Sequence, residues 1–388
     1  MAVAFHKTIH CMKKLLSLFG CVCLFAHCGM TQTERSRIDF ETYNPPSNLV
    51  VPEHHLTRAK FPFIDVHNHQ YDMPTQDIPA LLREMDSLNM KVMVNLSGRG
   101  FRNIPGGFDV NDPSYLVRSL QNARKTTPNR IVVFTNVSFA GVGEAGWEAK
   151  ALKELEADVK AGAQGLKVYK NLGFSYKDNK GNVIAVDDPR LDAIWEKCGE
   201  LGIPVLIHTA DPAPFWQPAD EHNERWLELL TYPGRKRTDT DPAPWQTLIN
   251  QQHHLFRKHP NTHFIAAHFG WYANDLDHLG KLLDSLPNMY IEFGAVIAEL
   301  GRQPRAAKAF FEKYQDRILF GKDSWVPSEY ATYFRVLETE DEYFPYHKKY
   351  HAFWRMYGLG LSDAILKKVY YKNALKLIPG MDKTGFPD

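Results

Sequence analysis

Apolar and polar residues follow two alternating rhythms along most of this chain. Short runs rich in β-branched and aromatic residues read as strands: Phe63 to His69, Lys91 to Leu96, Arg130 to Ser138, Gly165 to Lys170, Pro204 to Thr209, His263 to His268, Met289 to Phe293 and Arg317 to Gly321. Between them lie longer stretches with apolar residues three and four apart, as in Leu152, Leu155 and Val159 or Leu276, Leu279 and Leu283. That spacing puts the apolar side chains on one face. It predicts amphipathic helices over 77–88, 115–126, 144–161, 189–201, 245–258, 274–286 and 304–314. Strands and helices alternating in this way need parallel pairing, and eight such units predict an α/β fold, a closed (β/α)8 TIM barrel. An open doubly wound sheet would want a Gly-rich phosphate loop after its first strand, where this chain has His67-Asn68-His69 instead.

The rhythm breaks in three places. After the fifth strand, Asp211 to Pro244 holds Pro212, Pro214, Pro218, Pro233, Pro242 and Pro244 with Trp216 and Trp226, an extended β5–α5 loop expected to serve as lid or substrate wall. After the eighth strand, Trp325 to Trp354 is rich in aromatic residues and is expected to cover the same mouth. Before the first strand, Met12-Lys13-Lys14 leads an apolar segment ending at Ala26, which describes a signal peptide or lipoprotein signal over residues 1–30, too short to span a membrane. Residues 31–58 form a polar tether, and the barrel occupies 59–380. The reading is of an exported bacterial protein, periplasmic or anchored to the membrane as a lipoprotein through Cys21 or Cys28. An uncleaved tethering N-terminus is the alternative.

The formal net charge of +1 gives no electrostatic reason to expect nucleic acid, so a small molecule is the expected partner. Assembly as a homo-oligomer is left open. Four of the five cysteines precede residue 30, leaving Cys198 alone in the body, so the fold must rest on its core rather than on disulfides.

Polar residues interrupt the apolar strand ends at His67 and His69 on strand 1, Lys167 on strand 4, His208 on strand 5, His268 on strand 6 and Asp323 just past strand 8. In a barrel all strands end at one mouth, so these groups converge although they span the sequence. Side chains alternate faces along a strand, which places Asp65, His67 and His69 together. Two imidazoles so placed can share one ion at about 2.0–2.1 Å. A single histidine at a strand end is more often a hydrogen-bonded core residue. The ordered set points to a metal.

The motifs Ile64-Asp-Val-His-Asn-His69, Gly165-Leu-Lys-Val168, Val205-Leu-Ile-His208-Thr, Phe264-Ile-Ala-Ala-His268-Phe-Gly270, Leu319-Phe-Gly-Lys-Asp323-Ser324 and the closing Asn373-Ala374 pair resemble the amidohydrolase superfamily, in its amidohydrolase-related (amidohydrolase 2) branch. The resemblance runs over roughly residues 60 to 380. It implies one divalent metal, zinc or else manganese, held by His67, His69, His208 and Asp323, with a bound water whose pKa falls to about 7. His268 then polarises the substrate carbonyl, and Asp323 carries the water proton to the leaving group. Lys167 contacts the substrate or site water as a free ammonium; carbamylated, it would instead bridge two metals. Asp65 is either a residue that orients a ligand histidine or a buried strand residue. Arg99 and Arg102 are weaker candidates for clamping an anionic substrate, and Trp216, Trp271 and Trp325 for pocket walls. His253-His254 and His54-His55 are expected at the surface. The implied function is a metal-dependent hydrolase that cleaves an amide, lactone or ester of a small carboxylated or aromatic compound. A non-oxidative decarboxylase on the same site, and a barrel that binds a ligand without catalysis, are the alternatives.

Overall fold

The computed structural model of the chain describes residues 39, 42–104 and 107–388, so the expected leader lies outside the described residues. Residues 49–388 form one compact unit, and the rest of the description concerns it. All eight expected strands are present: β1 (Phe63–Asn68), β2 (Met90–Asn95), β3 (Ile131–Val133), β4 (Leu166–Val168), β5 (Val205–Ile207), β6 (Phe264–Ala266), β7 (Met289–Glu292) and β8 (Ile318–Leu319). They pair in parallel as a three-stranded sheet, β1-β2-β3, and a five-stranded sheet, β4 to β8. Backbone contacts bridge the two pairs of sheet edges in place of continuous ladders. Thr135 pairs with Leu166, and the Val66 N–H donates to Phe320 O at 2.9 Å. The strand order is that of a (β/α)8 barrel, with β1, β5 and β6 buried along their whole length as expected of strands covered by helices.

The helices follow the predicted stripes: α1 (Ile78–Leu88), α2 (Pro113–Thr126), α3 (Trp147–Ala161), α4 (Asp192–Glu200), α5 (Trp245–Lys258), α6 (Leu276–Ser285) and α7 (Pro304–Tyr314). On α1 the buried residues are Ile78, Leu81, Leu82, Met85 and Leu88, the three-and-four spacing of one face. The Asp77 carboxylate caps its start by accepting from Ala80 N–H, and Asn89 ends it in the left-handed region at φ 68°. In the closing helical segment, 363–377, Asn373 is buried and its amide donates to Gln315 O and Ile318 O, both at 2.7 Å. It thereby ties the chain end to the start of β8.

Two walls rise over the C-terminal ends of the strands. The β5–α5 loop is braced by its own tryptophans: Trp216 Nε1 donates to Ala243 O at 2.7 Å and Trp245 Nε1 to Asp211 O at 2.9 Å. The second wall follows β8 and contains α8 (Tyr330–Glu338) and a short antiparallel pair, Phe344–Pro345 with Arg355–Met356. Tyr232 of the first wall meets Tyr350 of the second edge to face at 5.4 Å. No described helix is long and apolar enough to cross a membrane.

Candidate metal centre

The strand ends bring His67, His268 and Asp323 together, with one ligand atom from each lying within 4.8 Å of the others. His67 Nε2 is 3.2 Å from Asp323 Oδ1, and His69 Nε2 is 3.6 Å from the same oxygen. His208 Nδ1 lies 3.3 Å from His268 Nε2. The predicted residues therefore converge, and the tightest trio includes His268 rather than His69 or His208.

The partners behind each ring assign its tautomer. His67 Nδ1 sits 2.8 Å from the buried Glu292 carboxylate, so it carries the proton and leaves Nε2 as a lone pair. His69 Nδ1 faces Ser97 Oγ at 2.9 Å, and Ser97 faces Tyr169 Oη at 2.8 Å. Because Tyr169 Oη donates onward to Leu96 O at 3.0 Å, Ser97 donates to Tyr169 and must accept from His69. His208 Nε2 faces Ala210 O at 3.1 Å and His268 Nδ1 faces Gly294 O at 2.7 Å, so both nitrogens are donors. The lone pairs of His67 and His268 thus gather with the Asp323 carboxylate, with that of His69 beside the same carboxylate and that of His208 against His268. His67 Nε2 is buried without a hydrogen-bond partner. Lone pairs so confined repel unless a cation sits among them, which is the test of fit for a divalent metal, and these residues pass it.

The electrostatics agree. Burial holds His69 and His208 well below the usual histidine range and also lowers His268, which keeps these rings neutral and ligand-competent. Burial and Lys167 oppose protonation of His67, yet the Glu292 and Asp323 carboxylates outweigh them and raise its pKa: the position favours positive charge. Burial pushes against ionisation of Asp323 as well, but His67 and the surrounding histidines hold it well below the carboxylate range. Backbone strain collects at the same place. Ala210, Ala295 and Asp323 have φ of 62°, 58° and 84°, and His268 to Trp271 form a left-handed run at 56–62°. Non-glycine residues there cost about 1–2 kcal/mol each, a strain characteristic of functional sites.

Glu292 is the residue that the sequence reading missed. Its Oε1 accepts from His67 Nδ1 and from His268 N–H, each at 2.8 Å, and its Oε2 accepts from Gly294 N–H at 2.6 Å. One carboxylate therefore fixes two histidines from different strands. Burial would raise its pKa, but His67 and these donors bring it down to about 2. A charged residue ending the apolar run Met289-Tyr-Ile-Glu292 was the available signal.

Several expectations need correction. His268, expected to orient or polarise the substrate carbonyl, presents a lone pair to the site and belongs to the trio that could hold a metal ion. Asp65 follows the second of its two readings, a buried strand residue: it accepts from the backbone N–H groups of His67 and Lys322, from the Asn68 amide and from Tyr330 Oη, and so staples strand ends. Arg99 is buried away from the mouth, bonded to Asn136 O at 3.1 Å and Glu154 at 3.0 Å and paired with Asp158 at 3.4 Å. Arg102 pairs with Asp109 at 3.2 Å on a surface hairpin. Trp216 braces the loop, and its neighbour Phe215 takes the wall position. Trp325 bonds Glu84 at 3.0 Å. His253, expected at the surface, is buried against Tyr272. Lys167 is buried with no hydrogen-bond partner at Nζ, and burial lowers its pKa to about 8.

A cavity of about 290 Å³ opens onto His208, His268 and Asp323, with Trp271 stacked on His268 at 4.5 Å. Phe215 and Arg225 of the first wall and Tyr346, Lys348 and His351 of the second complete it.

A barrel with histidines and an aspartate at its strand ends defines a class of metal-dependent enzymes. The family model described as Amidohydrolase matches residues 64–380, and the chain belongs to that family, which is metal-dependent. Among solved structures, a Staphylococcus aureus protein provisionally described as an amidohydrolase is 17% identical, with 81% of this chain and 99% of that chain covered and a TM-score of 0.50. A TIM-barrel protein from Bordetella bronchiseptica is 14% identical over 81% of this chain and 97% of its own, with a TM-score of 0.49. A dihydroxybenzoic acid decarboxylase from Polaromonas, with bound manganese and 2-nitroresorcinol, is 16% identical over 81% and 96%, with a TM-score of 0.47. No curated protein matches the sequence significantly.

Proposed function

We propose that the protein is a metal-dependent hydrolase that cleaves an amide, lactone or ester bond of a small organic substrate with a metal-activated water. The observation that supports this reading is the set of four assigned imidazole lone pairs: those of His67 and His69 face the Asp323 carboxylate, that of His268 lies in the same cluster, and that of His208 faces His268. One divalent ion, zinc or manganese, would be held among these five groups. When bound, it would supply an acidified water and a polarised carbonyl. Asp323, about a third exposed while His67 behind it is fully buried, is the base that accepts the water proton at its carboxylate and returns it to the leaving group. Trp271 covers His268, and the two walls limit access of bulk water. Lys167 stands beneath as an unpaired ammonium near Asp323 and contacts the substrate or the site water.

The test combines metal content per chain after dialysis with turnover of lactones, amides and esters by the wild type and by Asp323→Asn. About one ion and loss of nearly all turnover in the variant are expected. Full activity in Asp323→Asn would remove it as the base, and two ions would make Lys167 a carbamylated bridge. Release of CO2 from aromatic carboxylates without hydrolysis would replace the hydrolase by a decarboxylase.

A further inference from the structure

The chain as a whole is nearly neutral, and the five lysines and arginines that line its cavity outnumber the four lining carboxylates by one. Above the metal ligands two groups of charges repeat one composition, two cations sharing a single carboxylate. On the β4–β5 side, Asp211 is bound by Lys170 Nζ at 2.6 Å and by Arg237 at 2.9 Å. On the β8 side, Glu329 is bound by Lys348 Nζ at 2.9 Å and by Lys322 Nζ. Each group therefore keeps one positive charge in excess. Spare donors remain as well, because an ammonium carries three N–H bonds and Lys170 uses one of them on Asp211. A third group, Arg225 and Arg235 on Glu228, adds no excess, because Arg225 also binds Glu299 at 2.8 Å.

The placement matters as much as the charge. Lys170 follows β4 and Lys322 follows β8, and in an eight-stranded barrel these strand ends lie across the mouth from one another. The same cavity is lined by Lys170 and Asp211, by Lys322, Glu329 and Lys348, and between them by His208, His268 and Asp323. Lys322 is almost fully buried, its ammonium reaching Ser324 Oγ at 3.1 Å, so it is fixed rather than waving in solvent. A single carboxylate would answer one excess charge and leave the other.

We propose that the substrate is a small dianion, with one acidic group held by Lys170 at the β4–β5 side, the other by Lys322 and Lys348 at the β8 side, and the scissile bond between them over the metal ligands. This rests on the hydrolase reading for the bond cleaved, but not for the recognition. Charge-assisted contacts at both ends orient the molecule along one line, and the positive walls draw it into the mouth.

The experiment is calorimetric titration of the metal-loaded full chain with dicarboxylates of graded length, succinate to adipate and isophthalate, each against its own half-amide. At least one dianion is expected to bind ten-fold or more tightly than its half-amide. Lys170→Gln and Lys348→Gln should each cut that preference to less than three-fold. Lys170 and Lys348 are both part-exposed, and the charge-keeping Lys170→Arg and Lys348→Arg should restore it, which a folding defect would not. No dianion preferred over its half-amide, or a preference untouched by both glutamine variants, overturns the proposal. A preference without hydrolysis of any ester or amide upholds the dianion site and removes the hydrolase reading. Hydrolysis of neutral lactones with no dianion preference does the reverse.

Discussion

Replacing Glu292 by Gln tests the arrangement of the metal centre more sharply than removing a ligand, because the change keeps shape and deletes charge. The carboxylate accepts three N–H groups: His67 Nδ1 and His268 N at Oε1, Gly294 N at Oε2. A glutamine offers one acceptor oxygen and one NH2. If its oxygen takes the Oε1 place, the NH2 confronts Gly294 N–H; if reversed, it confronts both His67 and His268. Either way at least one buried donor is left unsatisfied, at about 1–3 kcal/mol. The loss of the anion behind His67 also weakens its lone pair as a ligand. Partners of this kind are worth roughly 10–100-fold in metal affinity, or about 1.4–2.8 kcal/mol. The assay is titration of the dialysed protein with zinc or manganese against a competing chelator, with denaturant unfolding run on the same samples. Lower stability and a 10–100-fold weaker metal constant are expected together. Unchanged metal affinity in a destabilised variant would make Glu292 a purely structural residue, and no change in either would refute the hydrogen-bond assignment itself.

Three further outcomes follow from the geometry. A Cβ at Gly321 would stand 2.2 Å from Glu292 Oε2 and 3.0 Å from His67 Cβ, so Gly321→Ala should reproduce the metal defect of Glu292→Gln, and normal metal binding would show that the carboxylate has room to move. Burial lowers Lys167 to about 8 from an ordinary 10.5, so folding makes its ammonium easier to deprotonate, and the cost of burying that charge is full below pH 8 and fades from there to about 10.5. Lys167→Met should therefore gain roughly 2–4 kcal/mol in denaturant unfolding at pH 7, with less gain at pH 10 and reduced turnover; a gain constant with pH would contradict that origin. Arg99→Met should cost about 3–5 kcal/mol by stranding Asp158, with kcat/KM of the folded protein changed less than two-fold, and a lost affinity without lost stability would return Arg99 to the substrate site.

The barrel was legible because its elements are local patterns. Several strand runs end at a histidine or glycine, as at His69, His268 and Gly321, and helices such as α1 and α6 carry their caps, Asp77 and Asp275, in the sequence. The convergence of His67, His69, His208, His268 and Asp323 was legible for a different reason, since strand order alone carries those positions to one mouth. What pattern could not supply was direction within a layer. Arg99 lies four residues past β2 and Lys170 two past β4, yet one turns into the helix layer toward Asp158 and the other into the cavity. The choice is made by where the partner carboxylate sits, a long-range fact. Glu292 escaped notice because a strand-end glutamate is not itself a motif, and its role exists only once His67 lies behind it. The reassigned role of His268 depended on the carbonyl of Gly294, which no side-chain pattern announces.

The left-handed backbone at Ala210, Ala295, Asp323 and the run His268 to Trp271 bears on how this scaffold would respond to laboratory evolution. A β-branched residue is poorly tolerated at such torsions, so random substitution at these strand-end positions should yield mostly unfolded or metal-free variants rather than new specificities. Three of the five cations that line the cavity, by contrast, sit on the loops beyond, Arg225 and Arg235 in one wall and Lys348 in the other. Libraries aimed at a new substrate should be confined to those two walls and should leave the strand ends as a fixed chassis.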